Sequence, residues 1–108
     1  MAETRKILGQ AVLTTAAAVY TVPATTQAVV STIVVASTSS SIADDFSIWV
    51  VKSGDSAPAN KQLIYYSIDI PANETFCSTV GITLNTGDSI WASGSGNASI
   101  NIFGVEIT

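Results

Sequence analysis

Thr75-Phe76-Cys77-Ser78-Thr79-Val80-Gly81-Ile82-Thr83-Leu84 alternates with a period of two. Phe76, Val80, Ile82 and Leu84 fall on one face, with Ser78 as the one polar interruption, and Thr75, Cys77, Thr79, Gly81 and Thr83 fall on the other. Successive side chains of a β-strand point to opposite faces of its sheet, so this is the pattern of a strand with one face on a core. Downstream, Ala98–Ile107 sets Phe103, Val105 and Ile107 against Ile100 and Ile102. Apolar residues on both faces predict a strand covered on both sides for part of its length.

Further strands are expected at Ala17–Val22, Gln27–Ser37, Phe46–Lys52, Gln62–Ile70 and Asp88–Ala92. Lys6–Val12 reads as a short first strand or, with residues 1–10, as an extended N-terminal arm. Pro23-Ala24, Ser39-Ser40-Ser41, Ser53-Gly54-Asp55, Pro71-Ala72-Asn73, Asn85-Thr86-Gly87-Asp88 and Gly94-Ser95-Gly96-Asn97 supply the turns between them. The chain is therefore expected to be all-β: one β-sandwich of about seven or eight antiparallel strands, jelly-roll or Ig-like, with little or no helix. A short helix over the Ala-rich stretch Ala11–Ala18 is the rival reading, because Ala is the best helix former. Thr14, Thr15 and Val19 dilute that preference, and neither end carries a cap.

The 108 residues suffice for a single domain. They carry four Lys/Arg and eight Asp/Glu, a charged fraction of 11%, under half the usual ~25%. A hydrophobic fraction of 47% accompanies them. Either a membrane or an assembly would account for so uncharged a surface. The apolar stretch Ala28–Ala36 is broken by Ser31 and Thr32 and is too short for a spanning helix. Arg5-Lys6 followed by Ile7–Val19 loosely imitates a signal peptide, but Glu3 precedes the basic pair and Gly9, Gln10, Thr14 and Thr15 interrupt the apolar run. A surface covered by other protein subunits is the expectation that remains. Hydroxyl-bearing Ser and Thr suit such a surface, being polar without the desolvation cost of a charge. Nucleic-acid binding needs clustered Lys and Arg, and Arg5, Lys6, Lys52 and Lys61 form no cluster beyond one adjacent pair.

Nothing in the sequence carries catalysis. There is no histidine, and the single Cys77 has no imidazole to activate it. One cysteine also allows no internal disulfide. Asp44-Asp45 could contribute to a Ca²⁺ site, but a polar turn before the strand at Phe46 is the favoured reading. Gly94-Ser95-Gly96 is a turn, too short for a phosphate loop. No enzyme activity, metal or cofactor is expected.

The aromatic residues hold the strongest recognition signal. If Ile48 and Ile90 point into the core, Trp49 and Trp91 point outward. With Tyr65 and Tyr66 they are candidate anchors of a subunit interface, Trp and Tyr being favoured there. A sugar-stacking platform is the alternative. Ile7 and Leu8 of the N-terminal segment join them as candidate interface residues.

Several segments in order are Lys6-Ile7-Leu8-Gly9-Gln10, Tyr20-Thr21-Val22-Pro23-Ala24, Thr26-Gln27-Ala28-Val29-Val30-Ser31, Ile70-Pro71-Ala72-Asn73-Glu74-Thr75-Phe76, Gly81-Ile82-Thr83-Leu84 and Phe103-Gly104-Val105-Glu106-Ile107-Thr108. Together they span nearly the whole chain, which resembles a group of short structural proteins of tailed bacteriophages. The resemblance implies a virion component without catalytic activity, made in the host bacterial cytoplasm and incorporated during assembly. It implies first a head decoration (cement) protein, a homo-oligomer expected to be a trimer, that clamps the major capsid protein. A neck, tail or fibre-base module that binds a receptor or glycan is the alternative.

Overall fold

Period-two alternation becomes eight strands in a computed structural model that describes residues 2–108. They are β1 (Glu3–Val12), β2 (Ala17–Thr21), β3 (Gln27–Ser37), β4 (Asp44–Val51), β5 (Leu63–Ile70), β6 (Thr75–Leu84), β7 (Ser89–Ser93) and β8 (Ala98–Ile107). Among the described residues the strands form two four-stranded antiparallel sheets, ordered β1-β8-β3-β6 and β2-β7-β4-β5. Each strand lies in the opposite sheet from its predecessor, β5 excepted. That strand order is the eight-stranded jelly roll, which decides between the two expected topologies.

The N-terminal segment is a strand and not an arm. β1 pairs with β8 along its length, and Ala2 and Thr108 exchange both backbone hydrogen bonds at 2.8 Å. Met1, the first residue of the expected arm, lies outside the described residues. The Ala-rich stretch is not a helix either. Between β1 and β2, Leu13 donates its N–H to the Ala98 carbonyl at 2.8 Å and accepts from the Gly96 N–H at 2.7 Å. The Thr14 carbonyl accepts from the Gly94 N–H at 2.8 Å. The neighbouring β7–β8 turn thus satisfies the backbone that a helix would have satisfied internally. Leu13, only 1% exposed, anchors the crossing.

The core lies between the sheets. Val30, Ile33, Val35, Ile100 and Ile102 meet Phe46, Ile48, Ile70 and Ile90, all buried. Along the β5/β6 side, Phe76 packs on Phe46 and Tyr65 with ring centroids 5.1 and 5.3 Å apart. Ser78, the polar break in the β6 row, shares a hydrogen bond with the Tyr65 hydroxyl and so satisfies a phenol at the margin of the core. Along the opposite side, the buried Tyr20 of β2 donates to Glu106 of β8 at 2.7 Å. Lys6 of β1 reaches the other Glu106 oxygen at 3.1 Å. Each side of the sandwich is thus closed by a tyrosine hydroxyl paired across the sheets.

β8 is continuous, whereas its neighbours each insert a residue beside it. β1 bulges between Ile7 and Gly9, and β3 between Val30 and Thr32. The Ser31 hydroxyl donates to the Phe103 carbonyl at 3.2 Å, filling in for the disrupted ladder. The extra residue in β3 lets both Val30 and Ile33 face the core, although three positions separate them. Gly104 of β8 sits in this narrowed region, where a Cβ would collide with the Val29 carbonyl and lie 2.9 Å from Leu8 Cδ1.

Two measurements follow from these contacts. Gly104→Ala should cost about 3 kcal/mol in a urea titration, because backbone must move to admit the methyl group. The hydrogen bond from Tyr20 holds Glu106 below the usual carboxylate range, Lys6 adding to the effect, while burial and Glu106 push Tyr20 up. A lowered carboxylate pKa contributes stability above its unfolded value that is lost on acidification; a raised phenol pKa contributes stability at lower pH that is lost in alkali. Thermal midpoints should therefore fall below about pH 4.5 and again above about pH 10. Tyr20→Phe should flatten both limbs and cost about 1.5 kcal/mol near neutrality.

Candidate interaction surfaces

Alternation in β4 and β7 places Ile48 and Ile90 fully inside and turns Trp49 and Trp91 outward. The two tryptophans are directly opposite each other in the β4–β7 register. Ala18 of β2 continues the row beyond Trp91, and Leu63 of β5 continues it beyond Trp49. Trp91 Nε1 donates to Ser89 Oγ at 3.0 Å, so the indole is oriented from within its own strand. Val51 and Ser89 also face outward by alternation yet are buried, and the 3₁₀ turn Asn60–Gln62 lies against β4. Gln62 closes that loop, accepting from the Ala59 N–H at 2.8 Å and donating to the Ser56 carbonyl at 2.9 Å. At the far end of the same outer face, Asp45 and Asp69 stand opposite each other, both exposed.

The structure divides the expected interface residues. Trp49, Trp91 and the 70% exposed Tyr66 belong to the outer side of the β2-β7-β4-β5 sheet. Ile7, 49% exposed, lies on the outer face of the other sheet opposite Phe103. Leu8 and Tyr65 are corrections to the surface reading. Leu8 is the bulge residue of β1 and turns into the core. Tyr65 packs inward against Phe46 and Phe76 because an extra residue in β5, near the positive-φ Ser67, reverses the strand's phase between Tyr65 and Ile68.

A second surface emerges on the β1-β8-β3-β6 sheet. Phe103, Val105 and Ile107 of β8 face away from the core and remain half-buried, beside Val29 and Val34 of β3. Thr75, Thr79 and Thr83 line the outer face of β6, with Cys77 exposed among them. The two-sided apolar pattern of Ala98–Ile107 carried this signal, but among the described residues the core is packed on the Ile100/Ile102 side and no second layer covers the other. Across β8, β3 and β6 this outer face presents no charged side chain.

The carboxylate of Asp44 is occupied by backbone. Its oxygens accept from the N–H groups of Asp45 at 2.8 Å, Ser95 at 2.9 Å and Asn97 at 3.0 Å, pinning the β7–β8 turn to the start of β4. Asp44 is buried, whereas Asp45 points away into solvent, so the adjacent pair does not converge on one point. Among the described residues no three His, Cys, Asp or Glu side chains converge to hold a metal. Asp44→Ala should remove the acceptor of these three N–H groups, loosen the β7–β8 turn and cost about 2 kcal/mol in chemical denaturation.

No protein-family model matches the chain, and neither a curated protein nor a solved structure shows significant similarity to it.

Proposed function

We propose that the chain is a non-enzymatic structural subunit of a tailed-phage virion, a decoration protein that binds and stabilises the major capsid shell. The observation that carries this reading is the distribution of charge over the sandwich. β2, β3, β6 and β7 contain no charged residue, and the single charge of β8, Glu106, is engaged by Tyr20 and Lys6. The two broad sheet faces are thereby left largely apolar and hydroxylated, with Asp45 and Asp69 confined to one end of the tryptophan face and Glu3 and Arg5 to the β1 margin of the other. Such a surface is wettable alone and inexpensive to desolvate over most of its extent. Its phage setting rests on the resemblance of the ordered segments.

The mechanism is passive. A subunit that binds the assembled shell and not its separated components stabilises the shell by mass action. The tryptophan row supplies the anchor: two large side chains side by side, flanked by Ala18 and Leu63. Those apolar flanks favour a protein contact over a sugar, which needs polar groups beside the rings to orient its hydroxyls.

Deletion of the coding sequence from its phage should give particles that lose infectivity at a lower temperature than the parent. Quantitative mass spectrometry of the parent should find the chain in hundreds of copies per particle. Equal heat tolerance, or a copy number of three, six or twelve, would overturn the decoration reading. Loss of adsorption by intact Trp91→Ala particles would replace it with a receptor-binding role.

A further inference from the structure

We infer that the outer face of the β1-β8-β3-β6 sheet pairs face to face with the same face of a second copy of this chain. This deepens the assembly reading by assigning one surface a partner. The centre of the face is Phe103, Val105, Val29 and Val34, and its β6 margin is a column of hydroxyls. The charged residues on this side are Glu3 and Arg5, of opposite sign and two positions apart at the β1 margin, opposite Ile107 and Val105.

Area and charge both point to a second copy. Four strands about 4.8 Å apart and ten residues long cover roughly 600 Å² in projection. Side-chain relief raises the accessible area towards the ~800 Å² per partner of a stable interface. The chain has a net charge of −4, so two copies repel wherever carboxylates meet. Pairing through the tryptophan face would take the exposed and directly opposed Asp45 and Asp69 of each copy out of water. The opposite face has Glu3 as its one carboxylate, with Arg5 beside it, and there the approach is unopposed.

The patch is also a single continuous face, the geometry of a self-complementary contact with a twofold axis. A ring of three needs two different patches on each subunit. Pairing at this face therefore closes at two copies and replaces the expected trimer. Both tryptophan rows then face outward, on opposite sides of the pair, where each can meet a different shell subunit.

The lone cysteine reports directly on this face, because Cys77 is exposed in the single chain and lies opposite Val34. The purified full chain should sediment as a dimer, and a maleimide should modify Cys77 at least about tenfold more slowly in the dimer than in a monomer, matching a face closed more than nine-tenths of the time. Thr79→Glu changes a side chain already exposed on this face, so the fold should persist. It should yield a monomer with fast labelling, while Ala18→Glu on the tryptophan face should remain a dimer with slow labelling. Circular dichroism melts would verify that both variants fold. A monomer at all accessible concentrations, a trimer, or a dimer that Ala18→Glu dissociates and Thr79→Glu does not would overturn the inference. None of these results bears on the heat tolerance of particles lacking the chain, so the decoration reading stands or falls separately.

Discussion

The close passage of β8 between two bulged neighbours is the constraint from which the rest of the sandwich follows. β3 carries apolar residues in two phases, Ala28 and Val30 before Ser31 and Ile33 and Val35 after Thr32, and all four are buried. A regular strand would face one pair outward, because side chains repeat every two residues. The inserted residue lets both pairs reach the core, and the matching insertion in β1 keeps the ladder on the other side of β8 in step. Gly104 is the counterpart of those bulges, since the narrowed strand spacing leaves no room for a Cβ. The same insertion fixes what the reverse of the sheet displays: Val29, Thr32 and Val34 beside Phe103 and Val105.

About half of the few charges are engaged in contacts within the chain. Asp44 holds the β7–β8 turn, and Asp88 accepts from the Ser53 and Asn85 N–H groups, both at 2.9 Å, holding two loops together. Glu106 and Lys6 join Tyr20 at the β1/β2 side, and Lys61 lies 3.4 Å from Asp55 within the β4–β5 loop. A low charged fraction in the sequence thus becomes a still lower density on the broad faces. Carboxylates here replace missing backbone partners in turns, where a charge-assisted hydrogen bond is strong. Keeping solubility is left to the hydroxyls of β6 and to charges at the rims.

Strands were legible in the sequence because alternation and turn residues are local. Gln27–Ser37 and Ala98–Ile107 are observed with the expected ends. Strand order was not legible, since alternation records which side of a residue is buried and not which strand lies beside it. The outward turn of Trp49 and Trp91 was legible for the same local reason. Leu8 and Tyr65 were not, because each lies at an insertion that resets the phase of its strand. Extrapolating back from Ile70 by twos puts Tyr66 inward, and the extra residue near Ser67 reverses this, leaving Tyr65 inside. Ser67 announces nothing by type, as serine is ordinary in a regular strand and in a bulge alike. The Tyr20–Glu106 contact joins residues far apart in the chain and depends on the jelly-roll crossing, so no local pattern could reveal it.

The two outer faces are unequal in a way that composition alone conceals. Like charges directly opposite each other across a strand pair are destabilising by a few tenths of a kcal/mol or more, and Asp45 and Asp69 are placed so on the tryptophan face. A second copy brought against that face would take both carboxylates out of water with nothing of opposite sign to meet them, whereas a partner with basic groups there would relieve the opposition. The β8-centred face has no comparable obstacle to meeting itself. The proposed self-association through one face and capture of a different protein through the other would therefore require no change in the fold. On the proposed reading, the position of these two carboxylates is what would let a subunit built of two similar sheets treat its own copies and the shell differently.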